Sequence, residues 1–231
     1  MSYTAPPGAS AADLVIAQRA ALYKPFTPTG NDDEFDDENF SGWTALQAAP
    51  TLTPTEENDR LSIKHPGGDA GAQFHAWVKA VTVASNDWIE IAFQQYGEAG
   101  NYAIIGLLFA NGATYGAGSQ YAVGFSPTEN GFIRSLHSNY SSSGGAGSLG
   151  GGVPSANMKG ALMIYRLMYE GSNVYRGYVS PDGINYVQTF TETSSHITSR
   201  THMGFYVSTW GGTPDLVYSL LYARFGNGAP P

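Results

Sequence analysis

The chain has no cysteine, so neither a disulfide nor a thiolate metal site braces it, and its stability has to come from a packed core. Charge is scarce as well: charged side chains make up 13% of the 231 residues, and lysine and arginine together number 11. Nowhere do these cations cluster, which excludes a phosphate-binding surface and, with it, nucleic acid as a partner. Long hydrophobic runs are missing too. Residues 1–7 contain no basic group, and the apolar stretch 14–16 is soon broken by Gln18 and Arg19. Neither a signal peptide nor membrane insertion is therefore expected. No Gly-x-Ser-x-Gly elbow, phosphate-cradling loop or dinucleotide fingerprint occurs. The five histidines, His65, His75, His137, His196 and His202, lack metal-ligand spacing and read as polar surface residues.

What the chain does have is glycine, 29 residues of it, and aromatic side chains at 13%. From about residue 40 these are distributed with a period of two, the period of a β-strand. Phe74, Ala76 and Val78 alternate with His75, Trp77 and Lys79, and Ile89, Ile91 and Phe93 alternate with Trp88, Glu90 and Gln94. Both segments read as half-buried strands. Residues 103–109 are apolar on both faces, as are 161–167 apart from Arg166, so these two are expected near the middle of a sheet. Roughly a dozen strands result, more than a single open sheet ordinarily holds. Ser180-Pro181-Asp182-Gly183 is a turn whose proline presets the second position and whose glycine suits the left-handed one, making a hairpin of 174–179 with 186–190. The glycine- and serine-rich run 141–152 has little to bury and is expected to be a mobile surface loop.

Residues 1–60 hold ten acidic and three basic side chains of a formal net charge of −8, leaving the rest nearly neutral. Residues 1–30 stand apart from the remainder, residues 31–231. After a Pro-Pro-Gly start, Ser10 to Asp13 resemble a helix-opening box, and a short helix to about residue 22 carries a narrow apolar stripe of Leu14, Ala17 and Ala21. Such a helix is unstable alone in water. It either packs on the domain or serves as an arm that grips another chain.

Residues 163–186, with their Ser-Pro-Asp-Gly turn, the segment 203–207 and the closing 218–225 resemble the second half of concanavalin A-like lectin and glucanase domains. Residues 103–109, the acidic 33–37 and Trp43 are similar to earlier landmarks of those domains. The resemblance implies an all-β fold, a two-sheet antiparallel jelly-roll sandwich with a short N-terminal arm or helix. Domains of this kind serve as lectins, enzyme appendages, enzymes and virion proteins, so function does not follow from fold.

Glu34, Asp36 and Glu38 match the E-x-D-x-E pattern of the laminarinase-type glucanases in this fold, where the glutamates would be nucleophile and acid/base. The match falls in a run with six acids in seven positions, at the start of the domain rather than inside it. A solvated acidic segment is the expectation, and no catalytic residue is assigned. Asp32, Glu34 and Asp36 are the candidates for calcium, the one cofactor left open. The sixth residue is Asp37 rather than glycine and the twelfth Trp43 rather than glutamate, which excludes an EF-hand loop.

Sugar rings stack on exposed aromatic rings. Trp210, Tyr140 and Tyr115, each beside a glycine-rich loop, are the glycan-binding candidates, with Trp43, Trp77 and Trp88 assigned to strand packing. Together these features point to a noncatalytic phage virion protein, a head decoration or a tail or fibre component made in the host cytoplasm. Leu14, Ala17 and Ala21 would anchor it to other virion proteins, the jelly roll would face cell-surface glycan, and a homo-oligomer such as a trimer is expected. The alternatives are a carbohydrate-binding module of a polysaccharide-acting system and, less well supported, a laminarinase-type glycoside hydrolase.

Overall fold

The computed structural model describes residues 30–47, 52–65, 72–97, 104–114, 119–125, 132–139, 146–152, 162–195, 197, 199–210 and 216–228. They form β1 (Thr44–Gln47), β2 (Thr55–Glu56), β3 (Leu61–His65), β4 (Ala72–Ala80), β5 (Asp87–Gly97), β6 (Ile104–Ala110) and β7 (Ser119–Phe125). There follow β8 (Phe132–Asn139), β9 (Ala146–Gly152), β10 (Met163–Gly171), β11 (Val174–Ser180), β12 (Val187–Thr193), β13 (His202–Trp210) and β14 (Leu216–Asn227). Sheet I has the order β12-β11-β10-β5-β14-β3-β2, and sheet II the order β1-β4-β13-β6-β7-β8-β9. Every pairing is antiparallel. The expected all-β jelly-roll sandwich is what the chain forms.

The core lies between the sheets. Ile89, Ile91 and Phe93 of β5 and Leu220, Ala223 and Phe225 of β14 face Ile105, Leu107 and Phe109 of β6 and Phe205 of β13, all buried. As expected, β6 is the central strand of sheet II. Strands β4 and β5, by contrast, are not half-buried: residues 74–78 and 88–95 are buried on both faces. The second face of β4 carries Phe74, Ala76 and Val78, which join Leu46, Leu108, Ala110 and Tyr206 in a separate apolar cluster. Alternation alone distinguishes two faces of a strand but not whether the polar-looking one meets water.

Two further expectations are corrected. The run 141–152 is not all loop, because β9 pairs with β8, setting Ala146 against Leu136 and Gly152 against Phe132. Backbone hydrogen bonds need no side chain, so a glycine-rich segment can take an edge position that its hydrophobicity does not announce. Nor are all the histidines at the surface. His65 and His75 are buried, one from each sheet, with ring centroids 5.3 Å apart in edge-to-face contact.

The predicted hairpin is present: β11 and β12 pair antiparallel, and Gly183 is left-handed at φ 70°. Asp182 fastens the turn, accepting bonds from the Ile184 and Asn185 amides, which hold its carboxyl well below the usual carboxylate range. Gly177 is required because a Cβ there would overlap the Phe190 ring that packs across the hairpin.

Candidate functional site

The outward face of sheet I carries most of the described polar chemistry. Strand β5 points Trp88, Glu90, Ala92, Gln94 and Tyr96 away from the core, the alternates of its inward Ile89, Ile91 and Phe93. In register, Arg224 of β14 pairs with Glu90, Glu90 with Arg166 of β10, and Arg166 with Tyr178 of β11. A row of alternating charge thus crosses three strands and ends on the ring of Tyr178 in a fourth. Glu90 accepts bonds from Arg166 Nε at 2.8 Å, Tyr186 Oη at 2.7 Å and Tyr222 Oη at 3.0 Å. Burial and then the charge of Glu90 push both phenols up from their ordinary value, so they remain donors.

Both guanidiniums are faced by rings. Arg166 lies 3.9 Å from the centroid of Trp88 and 4.6 Å from that of Tyr186, and Arg224 lies 3.9 Å from that of Tyr222. Trp88 packs down on Gly226, its cross-strand partner, where any Cβ would overlap the indole. Tyr186 follows the 180–185 turn and folds over this column, so the hairpin loop caps the Glu90 network. Three carboxylates of this face are each held by a guanidinium: Glu90 by Arg166, Glu34 by Arg224 at 2.6 and 2.8 Å, and Glu170 by Arg176 at 2.7 and 2.8 Å.

Toward β3 the face changes character. Gln94 pairs in register with Ser219 of β14, and Ser219 with Ser62 of β3. Tyr96 is 41% exposed and donates its hydroxyl to Gln94 Oε1 at 2.8 Å. Arg60 Nη1 approaches Ser219 Oγ at 3.4 Å. Gln94 and Ser219 are themselves buried, and Tyr96 lies level with Val217 and Lys64 rather than with Arg60.

The acidic segment is solvated, as expected, only in its second half: Asp36, Asp37 and Glu38 are exposed, whereas Asp32, Asp33 and Glu34 are half-buried and held by the fold. Asp32 accepts the Phe225 amide at 2.7 Å, and Asp33 exchanges backbone bonds with Ala223 at 2.9 and 2.7 Å. Asp33 also accepts Trp43 Nε1 at 2.7 Å and lies 3.5 Å from Lys79 Nζ. Phe35 and Glu38 have φ of 52° and 57°, so the segment is not an extended strand and does not turn Glu34, Asp36 and Glu38 to one side. A retaining pair needs two carboxyls about 5 Å apart, one able to donate a proton; Glu34 instead gives both its oxygens to Arg224. The other nominated residues are placed as follows. Trp210 ends β13 in register with Ala72. Tyr140, Tyr115, Leu14, Ala17 and Ala21 lie outside the described residues. Trp43, Trp77 and Trp88 are all buried in strand packing, as expected, the first two between the sheets and Trp88 on the opposite face of sheet I against Met168 and Tyr178.

Sequence reasoning missed Glu90, Arg166, Tyr186 and Tyr222 as one network. The available signal was a charge flanked by apolar residues within each of two strands, opposite in sign, Glu90 in β5 and Arg166 in β10.

No family model matches the chain, and no curated protein matches it in sequence. Solved structures do, and what they share with this chain is the two-sheet antiparallel jelly roll. The VIP36 exoplasmic/lumenal domain, in a Ca2+/Man3GlcNAc-bound form, is 10% identical with a TM-score of 0.59, covering 89% of this chain and 92% of that one. A seed lectin of Lotus tetragonolobus is 12% identical at a TM-score of 0.54, covering 89% and 97%. The GH43 protein BlXynB from Bacillus licheniformis is 11% identical at 0.61, with 89% of this chain matching 41% of that protein. The likeness is one of fold.

Of the three carboxylates nominated for calcium, Asp32 accepts the Phe225 amide, Glu34 is bound by Arg224 and Asp36 is exposed. Among the described residues, no three histidine, cysteine or carboxylate groups converge as a metal site.

Proposed function

We propose that the chain is a noncatalytic, lectin-like jelly roll that binds carbohydrate. The observation that carries this reading is the contrast within one sheet face: its described carboxylates are each held by a guanidinium, while beside them the ring of Tyr96, pinned through its hydroxyl to Gln94, is exposed. Hydrolysis needs a carboxyl free to give and take a proton, whereas binding needs only fixed donors, acceptors and an aromatic surface. A glycoside hydrolase is the second reading, favoured by the GH43 neighbour. Purified protein assayed on β-glucan, xylan and mucin-type glycans separates the two. No release of sugar is expected, and release that disappears in Glu90→Gln or Glu34→Gln would overturn the noncatalytic reading.

The particle setting belongs to the same proposal: residues 1–30 dock on a neighbouring virion protein, as a homo-oligomer, with the jelly roll outward. Its support is the apolar stripe Leu14, Ala17 and Ala21 in the arm. Deleting residues 1–30 is expected to abolish incorporation into particles, and full incorporation of the truncated chain would remove the anchor. Repeating glycan binding in EDTA tests for a calcium requirement.

A further inference from the structure

We propose that the contact between His65 and His75 is an acid-operated latch between the two sheets. His65 ends β3 in sheet I and His75 lies in β4 of sheet II; the rings are 1% and 0% exposed, with centroids 5.3 Å apart. Both point into the core, His65 from the strand face of Leu61 and Ile63 and His75 from that of Trp77. By register His65 is level with Leu216 and Gly97, and His75 with Val207 and Ile105. At this end of the sandwich β3, β5 and β13 finish and β4, β6 and β14 begin, each pair in opposite sheets. Three crossings of the chain between the sheets are therefore rooted beside the pair.

The described residues packed around the two rings are neutral. On the His65 side, β14 and β5 present Tyr218 and Gln95, cross-strand partners that are 0% and 2% exposed and whose phenol and amide have no hydrogen-bond partner among the described residues. Burial keeps that phenol protonated. On the His75 side stand Val207 of β13 and Gln47 of β1. Lys79 shares the face of His75 but lies about 13 Å along β4, against Asp33. Glu56 of β2 is opposite Leu61, as far from His65 along β3, and accepts the Asp37 amide. Lys64 is exposed on the other face of β3.

Two imidazolium ions facing each other away from water repel, so the folded pair takes up at most one proton where the unfolded chain takes two. Histidine in an unfolded chain ionises near pH 6.5. Below that pH the unfolded form binds more protons than the folded one, so the stability held by the pair is intact above about pH 7 and is lost as pH falls. One withheld proton multiplies the unfolding constant about 25-fold between pH 7 and pH 5.

The test is urea unfolding of the full chain at pH 7 and at pH 5, beside a variant carrying both His65→Phe and His75→Phe. The other three of the five histidines and every carboxylate are present in both proteins, so their titration cancels. The unfolding constant of the natural chain is expected to rise about 25-fold more than that of the variant. Hydrogen exchange of the natural chain, corrected for the pH dependence of intrinsic exchange, reads the location. Amides of residues 61–65 and 74–78 are expected to lose about tenfold in protection in acid, while 87–91 and 223–227, at the far ends of β5 and β14, keep theirs. Equal acid sensitivity in the two proteins overturns the latch. Where the variant does not fold, the exchange measurement decides, and protection that is unchanged, or lost alike at both ends, overturns it.

Discussion

Gly226 and Glu90 are small features on which a large part of the outward face of sheet I depends. Glycine in a strand ordinarily costs stability through its backbone freedom, so replacement by alanine is favourable where a Cβ fits. At Gly226 it does not fit, because the Trp88 indole occupies the space and itself supports the Arg166 guanidinium. Overpacking of this kind costs about 1–3 kcal/mol, more than the backbone term returns. Gly226→Ala is therefore expected to lower the urea midpoint and to shift Trp fluorescence, and an unchanged midpoint would show that the indole is free to move. Glu90→Gln removes the charge shared by Arg166, Tyr186 and Tyr222. With Glu90 and Arg166 both buried, the uncompensated guanidinium should cost about 3–5 kcal/mol in the same experiment. A loss below about 1 kcal/mol would mean that the row behaves like a surface ion pair. Glu90 and Arg166 were legible in sequence as charges flanked by apolar residues, but the pairing was not, since it depends on a strand register that joins residues 76 apart.

At the scale of elements, the acidic segment 32–38 is a clasp between the two sheets. On one side Asp32, Asp33 and Glu34 hold successive residues of β14, namely Phe225, Ala223 and Arg224. On the other, Lys79 of β4 donates to Asn31 O at 3.0 Å and faces Asp33. Phe35 plugs the end of the core against Trp43 and Phe205. A run of acids reads locally as solvated because its partners are elsewhere in the chain: Arg224 is 190 residues from Glu34. The strands themselves were legible, because a period of two needs only nearby residues. Strand β9 was not, because backbone pairing leaves no mark in hydropathy. Asp33→Ala takes the acceptor from Trp43 Nε1, Lys79 and the Phe35 amide at once. A loss of about 3 kcal/mol is expected by urea denaturation, with Asp33→Asn recovering part of it. A change under about 0.5 kcal/mol would return the segment to a solvated role.

For the molecule as a whole, two sheets without a disulfide are held by a core that includes many tyrosines, and this sets its behaviour in alkali. Tyr165 and Tyr218 are enclosed between the sheets, Tyr175 packs beside Phe109, and Tyr186 and Tyr222 serve Glu90. Burial pushes all five phenols up, Tyr175 to about 12. In the unfolded chain the same groups ionise near pH 10. The folded form therefore keeps protons that the unfolded form gives up, so the stability these groups contribute is intact below about pH 10 and is lost as pH rises from there toward 12 and beyond. Each phenol of this kind multiplies the unfolding constant by about ten per pH unit in that window. Five acting together make the loss steep, and the acidic net charge of −8 adds self-repulsion as further protons leave. Absorbance of the phenolate, followed with far-ultraviolet circular dichroism, should resolve two populations among the 15 tyrosines. The exposed ones should ionise near pH 10 with the sheet signal unchanged, and the buried ones only as that signal collapses. All fifteen titrating together near pH 10 in a chain that keeps its sheet spectrum would mean that the inter-sheet space admits hydroxide and water, and the packed core described here would be wrong.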